Sequence, residues 1–168
     1  MSRKYAPGKV FCIPFLNGGY GFGVITFYVE EIGLFSSIYD YLGDSPKPPA
    51  DLADKPFILE DSYGGMEFMI RPKHVAQRGA KWTFTKLRVE DVAPKQRWYL
   101  MGSPPRSFRR TDIFRELPDV PLSEEEAADY ARMETRFPPY RAAAFEVAIK
   151  RLDQTPEALI EAWQAEQA

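Results

Sequence analysis

The sequence predicts an α+β fold: a strongly bent antiparallel β-sheet or small β-barrel over residues 1–122, followed by C-terminal helices over 123–168 that pack on it as part of one globule. Three observations carry this. Short runs rich in aromatic and β-branched residues recur up to Leu122, separated by glycine and proline turn signals. A tight glycine corner, "NGG" at 17–19, joins the first two runs. After Pro121 the pattern changes to capped segments with apolar residues at helical spacing.

The elements follow in order. Val10–Leu16 and Tyr20–Val29 read as strands of a hairpin, with positive φ expected in the asparagine-glycine turn between them. Gly21 and Gly23 lie on one face of the second strand, since side chains alternate with period two, and leave it bare for a close aromatic ring or backbone. "GLFSSIYDYLG" (33–43) reads as a third strand ending near Asp40. The proline-rich acidic segment 44–56 cannot pair internally and reads as an exposed loop. "FILED" and "MEFMIRP" flank "SYGG" as a second hairpin, and "KWTFTKLRV" (81–89) and "RWYLMG" (97–102) bring the set to about five to seven strands. The first helix starts at Ser123, with Glu126 three residues on forming a capping box, and places Tyr130, Met133 and Phe137 at helical spacing before the prolines at 138 and 139 break it. "YRAAAFEVAIKRL" presents Phe145, Ile149 and Leu152 as a stripe widened by Ala144, Val147 and Ala148. The last helix takes Thr155 as its cap and Pro156 at its first position, presenting Leu159, Ile160 and Trp163.

Composition sets the class. With 168 residues, 45% hydrophobic and 14% aromatic, the chain is long and apolar enough to bury a core. "MSRKYAPGKV" precedes no apolar run of signal-peptide length and no stretch is long enough to span a bilayer, so a soluble, cytoplasmic protein with no membrane partner is expected. A lone Cys12 cannot form an internal disulfide. The net charge of −2 conceals blocks of opposite sign. Residues 30–61 hold eight acids against Lys47 and Lys55, residues 71–110 hold eleven basic residues against Glu90 and Asp91, and residues 123–168 hold ten acids against five bases. Such blocks either neutralise one another in the fold or face a charged partner.

Catalytic and metal constellations are not found, and no enzyme activity and no cofactor are expected. His74 stands among basic neighbours with no adjacent carboxylate, which fits a surface histidine. Cys12 alternates with Val10 and Pro14 in the first strand, as a buried small hydrophobe does. Histidine, cysteine and carboxylate do not cluster at ligand spacing, so no metal is expected. "GYGFG" resembles a phosphate loop only superficially, because a strand and not a helix follows it. Two binding features remain. "PPRSFRRTDIF" sets Arg106, Arg109 and Arg110 around Phe108, an arrangement suited to phosphate pairing and base stacking, though better read as a basic loop lying on the acidic C-terminal helices. The acidic stretch from Glu30 to Asp61 includes a proline-stiffened loop that loses little entropy on docking to a basic cleft.

"PGKVFCIPFLNGGYGFGVI", "IYDYLG" and "RWYLMGSPP" resemble the bacterial immunity protein family twenty-six. The matching residues are Gly8, Val10, Phe11, Ile13 and Pro14 of the opening strand, Gly18 or Gly19 of the turn, Tyr20, Gly21 and Gly23 of the return strand, and Trp98, Gly102 and Pro105 of the later segment. The resemblance spans roughly residues 5–115 and leaves the helical tail unmatched. It implies a non-enzymatic immunity protein of a polymorphic toxin system, which binds and neutralises a cognate bacterial toxin, most simply by occluding its active cleft. Under that reading Asp40, Asp44, Asp51 and Asp54 are the first expected contacts, with Arg106, Phe108, Arg109 and Arg110 the set for a toxin with an acidic face. The reading from another class is a small β-barrel that binds nucleic acid through the basic 71–110 segment. It requires a continuous basic groove with Phe108 or Trp82 exposed.

Overall fold

The computed structural model describes residues 5–29, 33–63, 82–101, 108–129 and 138–168. The opening hairpin is as expected: β1 (Lys9–Pro14) pairs antiparallel with β2 (Tyr20–Val29), Val10 opposite Val24 and Pro14 opposite Tyr20. Positive φ falls on Gly18 (78°) and Gly19 (82°) and not on Asn17. Phe11 stands directly opposite Gly23, and a β-carbon there would clash with the edge of the Phe11 ring. The bare strip of β2 is thus covered by rings from β1 and its turn, Phe15 lying over Gly21 in the same way. It is core, not a ligand groove.

Three further strands, β3 (Gly33–Tyr39), β4 (Phe57–Tyr63) and β5 (Thr83–Arg88), complete a five-stranded sheet in the order β4-β3-β2-β1-β5. Register shifts interrupt the β1–β5, β2–β3 and β3–β4 ladders, and such bulges bend and twist a sheet. Both faces are buried. One collects Phe11, Ile13, Ile25, Leu34 and Ile38, and the other Val10, Cys12, Phe22, Val24 and Tyr39, as the two-residue alternation requires. Cys12 therefore sits where a small hydrophobe was expected, and burial pushes its thiol up to about 11. Iodoacetamide at pH 8 is expected to leave Cys12 unmodified in the folded protein and to label it fully in denaturant, a difference that mass spectrometry reads.

Of the two forms expected, bent sheet or small barrel, the structure takes the bent sheet, and it differs from the sequence reading in adding a second sheet. The sheet does not close into a barrel among the described residues, because β4 and β5 are its two edges and packing elements, not a further ladder, cover its faces. A second, three-stranded sheet forms from β6 (Trp98–Met101), β7 (Phe108–Asp112) and β8 (Val120–Leu122), so part of the basic segment around Phe108 is a central strand. The second half of the expected "SYGG" hairpin, His74, Arg106 and the Tyr130–Phe137 stripe lie outside the described residues.

The two sheets meet through Phe35, Tyr99 and Ile113, and the Tyr99 hydroxyl donates to the Asp61 carbonyl at 2.9 Å. The second sheet is organised by Asp112, whose carboxylate is buried. It accepts from Arg97 Nη2 at 2.8 Å and from the backbone N–H groups of Phe114, Glu116 and Leu117 at 3.0–3.1 Å, so one side chain fixes the whole turn after β7. Burial pushes the Asp112 carboxyl up, but the Arg97 guanidinium and the Phe114 and Leu117 amides outweigh it and hold the group below the usual aspartate value. A depressed folded value means that this contribution is complete above the unfolded value, near 3.9 for aspartate, and is lost as pH falls through the folded one. Asp112→Asn is expected to lower stability at pH 7 by roughly 1.5–3 kcal/mol and to lose less than the parent between pH 7 and pH 3, measured by urea unfolding at both.

The helical part begins with α1 (Glu124–Ala127), where Ser123 and Glu126 form the expected capping box. Helix α2 is described over Pro138–Lys150, with the two prolines in its first described turn. Helix α3 (Pro156–Gln167) is capped by the Thr155 hydroxyl, which accepts from Ala158 N. Phe145 and Ile149 of α2 enter the same cluster as Phe11, linked by Trp82, which stacks on Phe11 at 5.6 Å and leans on Phe145 at 6.1 Å. Ala142 and Ala143 are buried beside them, whereas Ala148 is exposed. Unexpectedly, Glu146 is fully buried. Its carboxylate accepts from Leu16 N at 2.7 Å, Asn17 N at 3.1 Å and Lys150 Nζ at 2.7 Å, while Lys150 also donates to the Gly18 carbonyl at 2.7 Å. The helix thereby clasps the turn of the first hairpin.

Candidate partner-binding surface

The four aspartates predicted as contacts lie along the segment that leaves β3, and the fold holds this segment firmly. Asp40 N donates to the Pro56 carbonyl at 2.8 Å and closes its base. Gly43 exchanges two backbone hydrogen bonds with Tyr20, at 2.8 and 2.9 Å. In its middle a single 3₁₀ turn, Leu52–Asp54, drives Leu52 into the core against Cys12, Phe22 and Tyr39. Sequence reading missed this anchor, although a lone leucine amid prolines and acids was its signal. The result is a preformed loop that needs little ordering on binding.

The four carboxylates are not equivalent. Asp40 pairs with Arg151 Nη2 at 2.6 Å, and Asp51 pairs with Lys55 Nζ at 2.6 Å on the 3₁₀ turn. The hydrogen bond from Lys55 holds the Asp51 carboxyl below its usual value. Asp44 and Asp54 are exposed and make no ion pair among the described residues. Asp44 also lines a shallow hollow of about 490 Å³ with Tyr41, Lys47, Pro48 and Pro49. Leu42, 44% exposed, stands beside it.

The basic set is arranged differently. Phe108 is buried against Leu100 and Ala127 and offers no ring face to a base, and Trp82 is buried as well. The stacking role considered for them is therefore corrected: alternation along β7 turns Phe108 inward. Arg109 pairs with Asp119 at 3.2 Å, and the Arg110 guanidinium lies over the Trp98 ring at 4.6 Å. Asp119, in the loop between β7 and β8, thus pairs with Arg109, while the hydrogen bonds from Ser123, helped by Arg110, hold the Glu126 carboxyl of the following helix below its usual value and Phe108 packs on Ala127 of that helix. Among the described residues no group of histidine, cysteine or carboxylate side chains could hold a metal ion, and no helix is long and apolar enough to cross a membrane.

A twisted antiparallel sheet carrying a fixed, acidic, proline-rich loop defines a scaffold that presents a surface. A model of the family Immunity protein 26 matches residues 6–70, which include the opening hairpin, β3, the acidic loop and β4, so the resemblance seen in the sequence holds over that span. No curated protein and no solved structure matches the chain.

Proposed function

We propose that this protein neutralises a cognate bacterial toxin by stoichiometric binding, with the 40–56 loop entering or covering the toxin's active cleft. The observation that carries the reading is the match to Immunity protein 26 over residues 6–70, the segment that contains this loop. The geometry supports the same surface. Asp44 and Asp54 present exposed carboxylates, without an ion pair among the described residues, on a loop pinned at its base, its bridge to Tyr20 and its Leu52 anchor. Toxins that act on anionic substrates carry basic clefts, and carboxylates of this kind steer association toward them. Leu42 supplies an exposed apolar contact beside them.

The test is co-purification of the tagged chain with the product of the neighbouring reading frame, where a one-to-one complex is expected. Asp44→Lys combined with Asp54→Lys is then expected to weaken that complex at least tenfold, chiefly through a slower association rate with a flatter salt dependence, while thermal stability is unchanged. An unaltered association rate would move the contact surface away from this loop.

A further inference from the structure

A second site lies where β3 and β4, near their bulges, meet the 89–95 segment and Ala53 of the loop. A cavity of about 230 Å³ opens there, lined on one side by Thr26, Ser37, Tyr39 and Asp61, and on the other by the 89–93 segment and Lys95. Two of these residues carry buried hydroxyls without a partner among the described residues: Thr26 is 3% exposed and Tyr39 fully buried, yet neither Thr26 Oγ1 nor Tyr39 OH makes a hydrogen bond there. An unsatisfied buried hydroxyl is costly, and two on one cavity point to an occupant. Asp61 adds a buried carboxylate in the left-handed region, at φ 46°. Its Oδ2 accepts from Lys95 N at 2.5 Å and Gln96 N at 3.4 Å, which leaves Oδ1 without a donor among the described residues. Glu90 and Asp91, the two acids of the otherwise basic 71–110 segment, stand exposed on the cavity wall, and the Lys95 ammonium is held by Glu60 at 2.7 Å. Phe57, Val89 and Val92 supply apolar wall.

We propose that this cavity binds a cationic head on an aliphatic stem, a guanidinium or ammonium whose charge meets Asp61 Oδ1 while the stem lies on Phe57 and Val92. The Thr26 and Tyr39 hydroxyls accept from its N–H groups, and Glu90 and Asp91 attract it to the mouth. This chemistry is shared by an arginine or lysine side chain of a protein partner and by a free alkylamine or alkylguanidine. The site stands independently of the toxin reading, because its test needs no partner.

The experiment titrates the full chain with n-butylguanidinium, following the Lys95 and Gln96 amides by NMR, with n-butylurea as the neutral probe of the same shape. Saturable binding of the guanidinium is expected, at least tenfold tighter than the urea and at least tenfold weaker in Asp61→Asn. Asparagine keeps an acceptor for Lys95 N and tolerates positive φ, so this variant is expected to fold. Tyr39→Phe, which removes one hydroxyl at constant shape, is expected to weaken binding about threefold. Equal binding of guanidinium and urea, unchanged affinity in Asp61→Asn, or no saturable binding would each overturn the proposal. Where the neighbouring gene product forms a complex, saturating n-butylguanidinium weakens it if a partner side chain fills the cavity, and leaves it intact if the occupant is a free amine.

Discussion

Glu146→Ala is expected to lower stability by about 3–5 kcal/mol, much of the 5–15 kcal/mol that holds a typical domain folded. The substitution removes a fully buried carboxylate that joins α2 to the hairpin turn. Leu16 N–H and Asn17 N–H lose the buried acceptor that Glu146 provides, and the Lys150 ammonium loses its counter-ion. The companion change Lys150→Met is expected to cost less, since Glu146 keeps both amide donors and loses only its ion pair, together with the Lys150 contacts to the Asn17 and Gly18 carbonyls. Chemical denaturation of the two single variants and the double variant measures the coupling. A loss below 1 kcal/mol for Glu146→Ala would mean that the turn is held by its own backbone bonds.

Phe145→Ala is expected to cost about 3–5 kcal/mol through the cavity it leaves beneath Trp82. The stack running from Phe11 through Trp82 to Phe145 crosses from the segment that matches the immunity family to a helix outside it. The loss is therefore expected to appear as one cooperative transition with a lower midpoint, and not as separate melting of the helices. Two resolved transitions would mean that α2 is an appendage.

The sequence made some of this legible and hid the rest for physical reasons. Turn and cap chemistry is local, so the opening hairpin, the Ser123–Glu126 capping box and the Thr155–Pro156 helix start are read directly from neighbouring residues. Strand β7 was hidden because "FRRTD" carries two adjacent arginines, and only the tertiary fold sets Arg110 over Trp98 and buries Thr111 and Asp112. Glu146 was hidden because an acid in a helix reads as solvent-facing. Its signal was the i,i+4 spacing to Lys150 within the apolar stripe of Phe145 and Ile149.

The candidate contact surface shows the same division. The pairing of Asp51 with Lys55 lies within one turn and was open to sequence reading, whereas that of Asp40 with Arg151 spans 111 residues and was not. Of the four aspartates, those left to meet a partner are Asp44 and Asp54. Nothing local distinguishes them from the other two, because an ion pair across the fold depends on where the chain after α2 turns back.

The measurement that tests the central claim most directly is survival of cells expressing the neighbouring reading frame's product, with and without this chain. Growth arrest by that product alone, relieved by the intact chain and relieved less by the Asp44→Lys, Asp54→Lys variant at equal abundance, is the predicted result. Arrest that the intact chain fails to relieve, although it is folded and abundant, would contradict the assignment of this protein as that product's neutralising partner.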